Sequence, residues 1–158
     1  MTAETASDER DLVVTRLIDA PAEKLYRAWT EPELLKQWFA PAPFTTPLAE
    51  LDVRAGGANL IVMKSPEGQE MPNRGVYLEV VPNRKLVFTD AYQAGWAPSE
   101  GKPFMTVIVT FEPEGGTTRY TARARHWSVE DKQAHEAMGF HTGWGQVTDQ
   151  LAELAARI

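Results

Sequence analysis

From Leu48 to His126 the chain is a series of short apolar runs separated by turn chemistry. The runs span residues 48–54, 58–64, 74–81, 85–92, 104–112 and 117–126. Between them stand Gly56-Gly57, Ser65-Pro66-Glu67-Gly68, Pro82-Asn83-Arg84 and Glu114-Gly115-Gly116, residues that reverse a chain rather than extend it. Connections this short favour antiparallel neighbours, because a parallel crossover needs a dozen residues or more. The longest break, 93–103, reads as a flexible loop carrying Trp96 as an anchor, and that ring could close a pocket mouth like a lid.

What flanks these six strands sets the fold class. Residues 11–18 (DLVVTRLI) are rich in β-branched side chains and read as a strand. Pro21 suits the first position of a helix, where Leu25, Ala28 and Trp29 recur at helical spacing. Thr30-Glu31-Pro32-Glu33 reads as a capping box, Thr30 opening a second short helix and Glu33 reaching back to it. After the strands, Ser128 can cap a helix whose first turn holds Glu130 and Asp131, and Gly139 interrupts it. Trp144, Val147, Leu151, Leu154, Ala155 and Ile158 then form one apolar stripe. The order predicts an α+β fold, a curved antiparallel sheet of six to seven strands with helices on one face.

In the last strand Thr118, Tyr120, Ala122, Ala124 and His126 share one face and Arg119, Thr121, Arg123 and Arg125 the other. The first set should look inward and the arginine face should be solvated. Asp52 and Arg54 fall on one face of their strand as a charged pair shaping the turn at Gly56-Gly57.

At 158 residues the chain fits one domain over 11–158, with 1–10 a disordered lead-in. A net charge of −6 disfavours non-specific binding to nucleic acid or an anionic membrane surface, and no partner of either kind is expected. With no cysteine, disulfides, zinc–thiolate sites and thiol nucleophiles are excluded. The polar, acidic start lacks the apolar core of a signal peptide and no run is long enough to span a bilayer, so a cytoplasmic location is expected.

Several stretches carry a resemblance. Ile18-Asp19-Ala20-Pro21, Ala28-Trp29-Thr30-Glu31-Pro32-Glu33 and Gln37-Trp38-Phe39 resemble the opening of the START-like (SRPBCC, Bet v 1-like) superfamily. Its subgroup related to the C-terminal domain of the activator of heat-shock-protein-ninety ATPase is the most similar. Asp52 to Gly57, Gly75 to Pro82, Glu136 to Gly139 and Gly143 to Gln146 match as well. The resemblance covers about residues 11–157. It implies a helix-grip fold with a cavity between the sheet and the long C-terminal helix. Ala122 and Ala124, facing Gly143 and Gly145 across that gap, would leave room for it.

On this basis the candidate pocket residues are Trp38, Phe39, Met63, Tyr77 and Phe88, then Tyr92, Trp96, His126, His141 and Trp144. The two histidines could meet a ligand carbonyl or exchange a proton near neutral pH, whereas His135 is expected on an exposed helix face. Arg74, Glu79 and Asp90 could also reach the cavity. No metal is expected, since the histidines lack an i,i+4 pair, and no P-loop, dinucleotide fingerprint or nucleophile elbow calls for a cofactor.

The leading expectation is a protein that binds a small hydrophobic, aromatic or lipid-like molecule. The resemblance also admits a polyketide cyclase- or hydrolase-like enzyme using histidine or a buried carboxylate. A third reading is an interaction protein, either a homodimer or a chaperone-ATPase activator. The activators carry a further N-terminal domain that this sequence lacks, so a chaperone partner is not expected.

Overall fold

The computed structural model describes residues 8–158. Seven antiparallel strands form one curved sheet in the spatial order β1 (Asp11–Ile18), β9 (Thr117–Arg125), β8 (Thr106–Glu114), β5 (Lys85–Thr89), β4 (Glu70–Val81), β3 (Ala58–Lys64), β2 (Thr45–Leu51). β1 and β2 adjoin in the chain yet occupy opposite edges. The two helices between them, α1 (Ala22–Thr30) and α2 (Pro32–Leu35), therefore carry the chain across one end of the sheet. α3 (Val129–Ala137) and α4 (Phe140–Ala155) follow, giving the expected α+β helix-grip arrangement.

Strand register determines what faces α4. Directly opposed residues of antiparallel strands share a face, so the pairings Leu12↔Ala124, Ala124↔Val107, Val107↔Phe88 and Phe88↔Tyr77 draw one layer across five strands. All lie on the concave side. α4 meets that side with Val147, Leu151, Leu154 and Ala155, all buried. α1 adds Leu25, Ala28 and Trp29. The Trp29 indole N–H donates to the Tyr120 hydroxyl at 3.1 Å, and the Trp38 indole N–H donates to the Ala28 carbonyl at 3.0 Å. Both buried polar tips are thus satisfied inside an aromatic cluster.

Several local expectations need correction. Thr30 does not cap α2. Pro32 forces Glu31 out of helical geometry (φ −97°, ψ 117°), so α1 runs on to Thr30, whose hydroxyl donates to the Tyr26 carbonyl at 2.8 Å. Glu33 pairs with Lys36 instead, and Pro21 is the N-cap of α1 rather than its first helical residue. β5 stops at Thr89 because Asp90 leaves the ladder, its carboxylate accepting from the backbone N–H groups of Phe104 and Met105 at 2.8 and 3.2 Å. The following loop holds a small hairpin, β6 (Tyr92–Gln93) and β7 (Ala97–Pro98).

The arginine face is not simply solvated. Arg123 and Arg125 converge on the Asp11 carboxylate, which is 2 % exposed, at 2.7–3.0 Å. Of the expected lead-in, residues 1–7 lie outside the described residues. Residues 8–10 form a turn in which Asp8 accepts from the backbone and side chain of Arg10 at 2.8 Å.

Ser128 caps α3 as expected, accepting from the Asp131 N–H at 3.1 Å. Gly139 then adopts φ +98° and opens α4. A residue with a side chain would be strained there, and the resulting bend sets α3 against α4 and β1.

Candidate functional site

A cavity of about 500 Å³ lies between the concave faces of β3, β4, β5 and β8 and the junction of α3 with α4. Its β3 wall follows directly from strand alternation, Asn59, Ile61 and Met63 sharing a face and bordering it. Opposite them on β4 stand Gly75, Asn73 and Met71. Gly75 is obligatory, because a Cβ there would lie 2.0 Å from the Thr89 carbonyl oxygen. The helical wall is Phe140, Gly143, Trp144 and Val147, with Phe140 and Trp144 stacked at 5.5 Å between ring centroids.

Of the ten residues singled out in the sequence, Trp38, Phe39, Met63, Phe88 and Trp144 border this cavity. The other five do not. Tyr77 is buried beside Phe88 at 6.2 Å between centroids, and burial raises its hydroxyl pKa above the ordinary tyrosine value. Tyr92 and Trp96 sit on the β6–β7 hairpin, both exposed, with the Trp96 ring lying against Gly56. Trp96 is therefore no lid over the cavity. The far end of its loop is fastened by the Asp90 carboxylate, which accepts from the Phe104 and Met105 N–H groups. His141 is exposed at the start of α4, and its Nε2 meets the Glu136 carboxylate at 2.9 Å.

His126 points inward as strand parity implies, but it stands behind His135. Expected on an exposed face, His135 is only 8 % exposed and borders the cavity. His126 Nε2 and His135 Nδ1 are 2.8 Å apart, and His126 Nδ1 lies 2.9 Å from the Arg10 carbonyl oxygen. Phe104 and Phe140 pack on the His135 ring at 4.6 and 5.2 Å between centroids. The helical pattern of α3 concealed this, because α3 has no apolar stripe of its own and buries its one histidine against a strand distant in sequence.

The small residues also act differently from expectation. Ala122 and Ala124 are close-packed in the core. Gly143 borders the cavity and Gly145 does not. Arg74 and Asp90 reach its rim, while Glu79 pairs with Lys85 at 3.1 Å. Among the described residues no three His, Cys, Asp or Glu side chains converge as a metal ion would require, and no helix is long and apolar enough to cross a membrane.

Burial and the neighbouring His126 lower the His135 pKa from 6.5 to about 4. In the unfolded chain the same ring titrates near 6.5, so between pH 6.5 and 4 the unfolded state takes up the proton first. Stability should therefore be full above pH 6.5 and fall across that window, by on the order of 1–3 kcal/mol. Urea unfolding at pH 7, 5.5 and 4 checks this. The loss between pH 7 and 4 should be smaller in His135→Phe, which cannot titrate.

Comparisons with known proteins agree with this architecture. A family model described as "Activator of Hsp90 ATPase homolog 1-like protein" matches residues 19–156. No curated protein matches. A crystal structure of a Nitrosomonas europaea protein is similar at 39% identity, covering 96% of this chain and 97% of that one, with a TM-score of 0.91. One from Chromobacterium violaceum has 26% identity, covers 91% and 96%, and has a TM-score of 0.75. A Mycobacterium smegmatis structure, at 22% identity over 98% and 95% with a TM-score of 0.78, shares the fold.

Proposed function

Because the chain belongs to the activator of Hsp90 ATPase homolog 1-like family, whose fold is compatible with ligand binding, we propose that it binds a small hydrophobic molecule, aromatic or lipid-like, beneath α4. The observation that carries this reading is the cavity itself. Its volume of about 500 Å³ suits a ligand of drug or metabolite size. Its walls are mainly aromatic, Met, Ile and Val side chains, with Asn59, Asn73, Thr89 and His135 as polar points among them and Arg74 and Asp90 at the rim. Such a surface gains by excluding water and offers few anchors, which selects an apolar body carrying one or two polar groups.

The acid–base alternative has less support. His135 has its pKa lowered to about 4 and is a weak base at neutral pH, and His141 stands outside the cavity. The Asp90 carboxylate is engaged by two backbone N–H groups. A chaperone partner of the kind named in the family's description has less support than a small ligand, which the cavity itself would accommodate. A cysteine-free sequence suits a reducing compartment, and the cytoplasm is the proposed location.

Thermal or urea unfolding in the presence of apolar aromatics and long-chain acids tests the proposal. A ligand at a hundredfold excess over its Kd should add about 2.7 kcal/mol. No stabilisation by any member of either class would overturn it.

A further inference from the structure

We infer that the His126–His135 pair fixes His135 as a hydrogen-bond acceptor facing the cavity, so that the site selects apolar ligands carrying a hydroxyl or N–H donor. This deepens the proposed function and rests on it. The pair is anchored at one end by Arg10. Its carbonyl oxygen has no proton to give, so the His126 Nδ1 at 2.9 Å must be the donor. A neutral His126 then has a lone pair on Nε2. That lone pair faces His135 Nδ1 at 2.8 Å, and His135 Nδ1 must carry the proton between them. Neutral His135 is left with its lone pair on Nε2. The two ring nitrogens diverge, so Nε2 points away from His126, and among the described residues no protein group hydrogen-bonds it. The ring is more than nine-tenths buried and borders the cavity.

The ring has little freedom to do otherwise. Phe104 and Phe140 pack against it, and His126 is itself 1 % exposed and held by the backbone. Nε2 is not among the sealed-off polar atoms of the protein and so is open to the cavity, where a ligand donor gains a hydrogen bond sheltered from bulk water, whereas an ether or carbonyl oxygen placed there would meet another lone pair. His135 is thus the ligand anchor, and His126 is a positioning residue that acts through its tautomer.

The test compares β-naphthol with its methyl ether, which share an apolar body and differ in the donor. Calorimetric titration of the wild-type chain at pH 7.5 should show β-naphthol binding about fivefold to tenfold more tightly. In His135→Phe the two should bind equally. In His126→Phe, where His135 can place its proton on Nε2, the preference should shrink or reverse. Independently of any ligand, nitrogen-15 spectra of the imidazole rings should show His135 protonated on Nδ1 and bare on Nε2.

Equal affinity of the two compounds for the wild type would overturn the inference while leaving the cavity a binding site. A His135 protonated on Nε2 would overturn it even if every variant failed to fold. Binding of neither compound would remove this inference, and the proposed function falls only if the other apolar aromatics and the long-chain acids fail as well.

Discussion

Trp29→Ala should destabilise the protein by about 3–5 kcal/mol, the range for deleting a large aromatic from a close-packed core. Trp29 is 2 % exposed and touches three other rings, Trp38, Phe39 and Phe88, at 4.9, 5.7 and 5.7 Å between centroids. Its indole N–H also satisfies the buried Tyr120 hydroxyl at 3.1 Å, so truncation removes dispersion contacts and leaves a polar group without its partner. Those three rings also border the cavity. Loss of Trp29 should loosen that wall and weaken ligand binding as well. Urea unfolding monitored by circular dichroism measures the first effect, and a loss under 1 kcal/mol would contradict this account of the core.

Gly143→Phe should abolish ligand binding, weakening it by more than about a hundredfold, because the new ring and the ligand would claim the same space. Gly143 borders the cavity, and a Cβ built there meets nothing within 4 Å. The helix should tolerate the change, since phenylalanine forms helix better than glycine by a few tenths of a kcal/mol. Gly145→Phe is the matched control. It lies two residues further along α4, also meets nothing within 4 Å, and does not border the cavity. Calorimetry with β-naphthol should find Gly145→Phe close to wild type and Gly143→Phe silent, with both variants folded.

The fold was legible because its signals are local. Turn chemistry divided the strands, the apolar stripe from Trp144 to Ala155 marked α4, and alternation in β9 assigned its faces. What failed locally failed through competition. Pro32 overrode the capping pattern at Thr30, and the Asp90 carboxylate drew the chain off β5 earlier than apolar content implied.

The site was legible only in part, for a related reason. Met63 and Phe88 border the cavity because strand parity puts them there, and the same parity would have added Asn59 and Ile61. His135 could not be found this way. Its environment is made by His126, Phe104 and Phe140, brought together by the turn at Gly139 and by strand pairing rather than by spacing within α3. Small residues misled for a similar reason. Ala122 and Ala124 let the core close, and the open volume lies further along the sheet, between β3, β4 and the first turns of α4.

The central claim is that an apolar molecule occupies the space beneath α4, and mapping amide shifts of the nitrogen-15-labelled chain during titration with β-naphthol tests it most directly. Perturbations should cluster on residues 59–63, 71–75, 104–107 and 139–147. Perturbations centred on the β6–β7 hairpin, or no site-specific perturbation by β-naphthol, the other apolar aromatics or the long-chain acids, would contradict it.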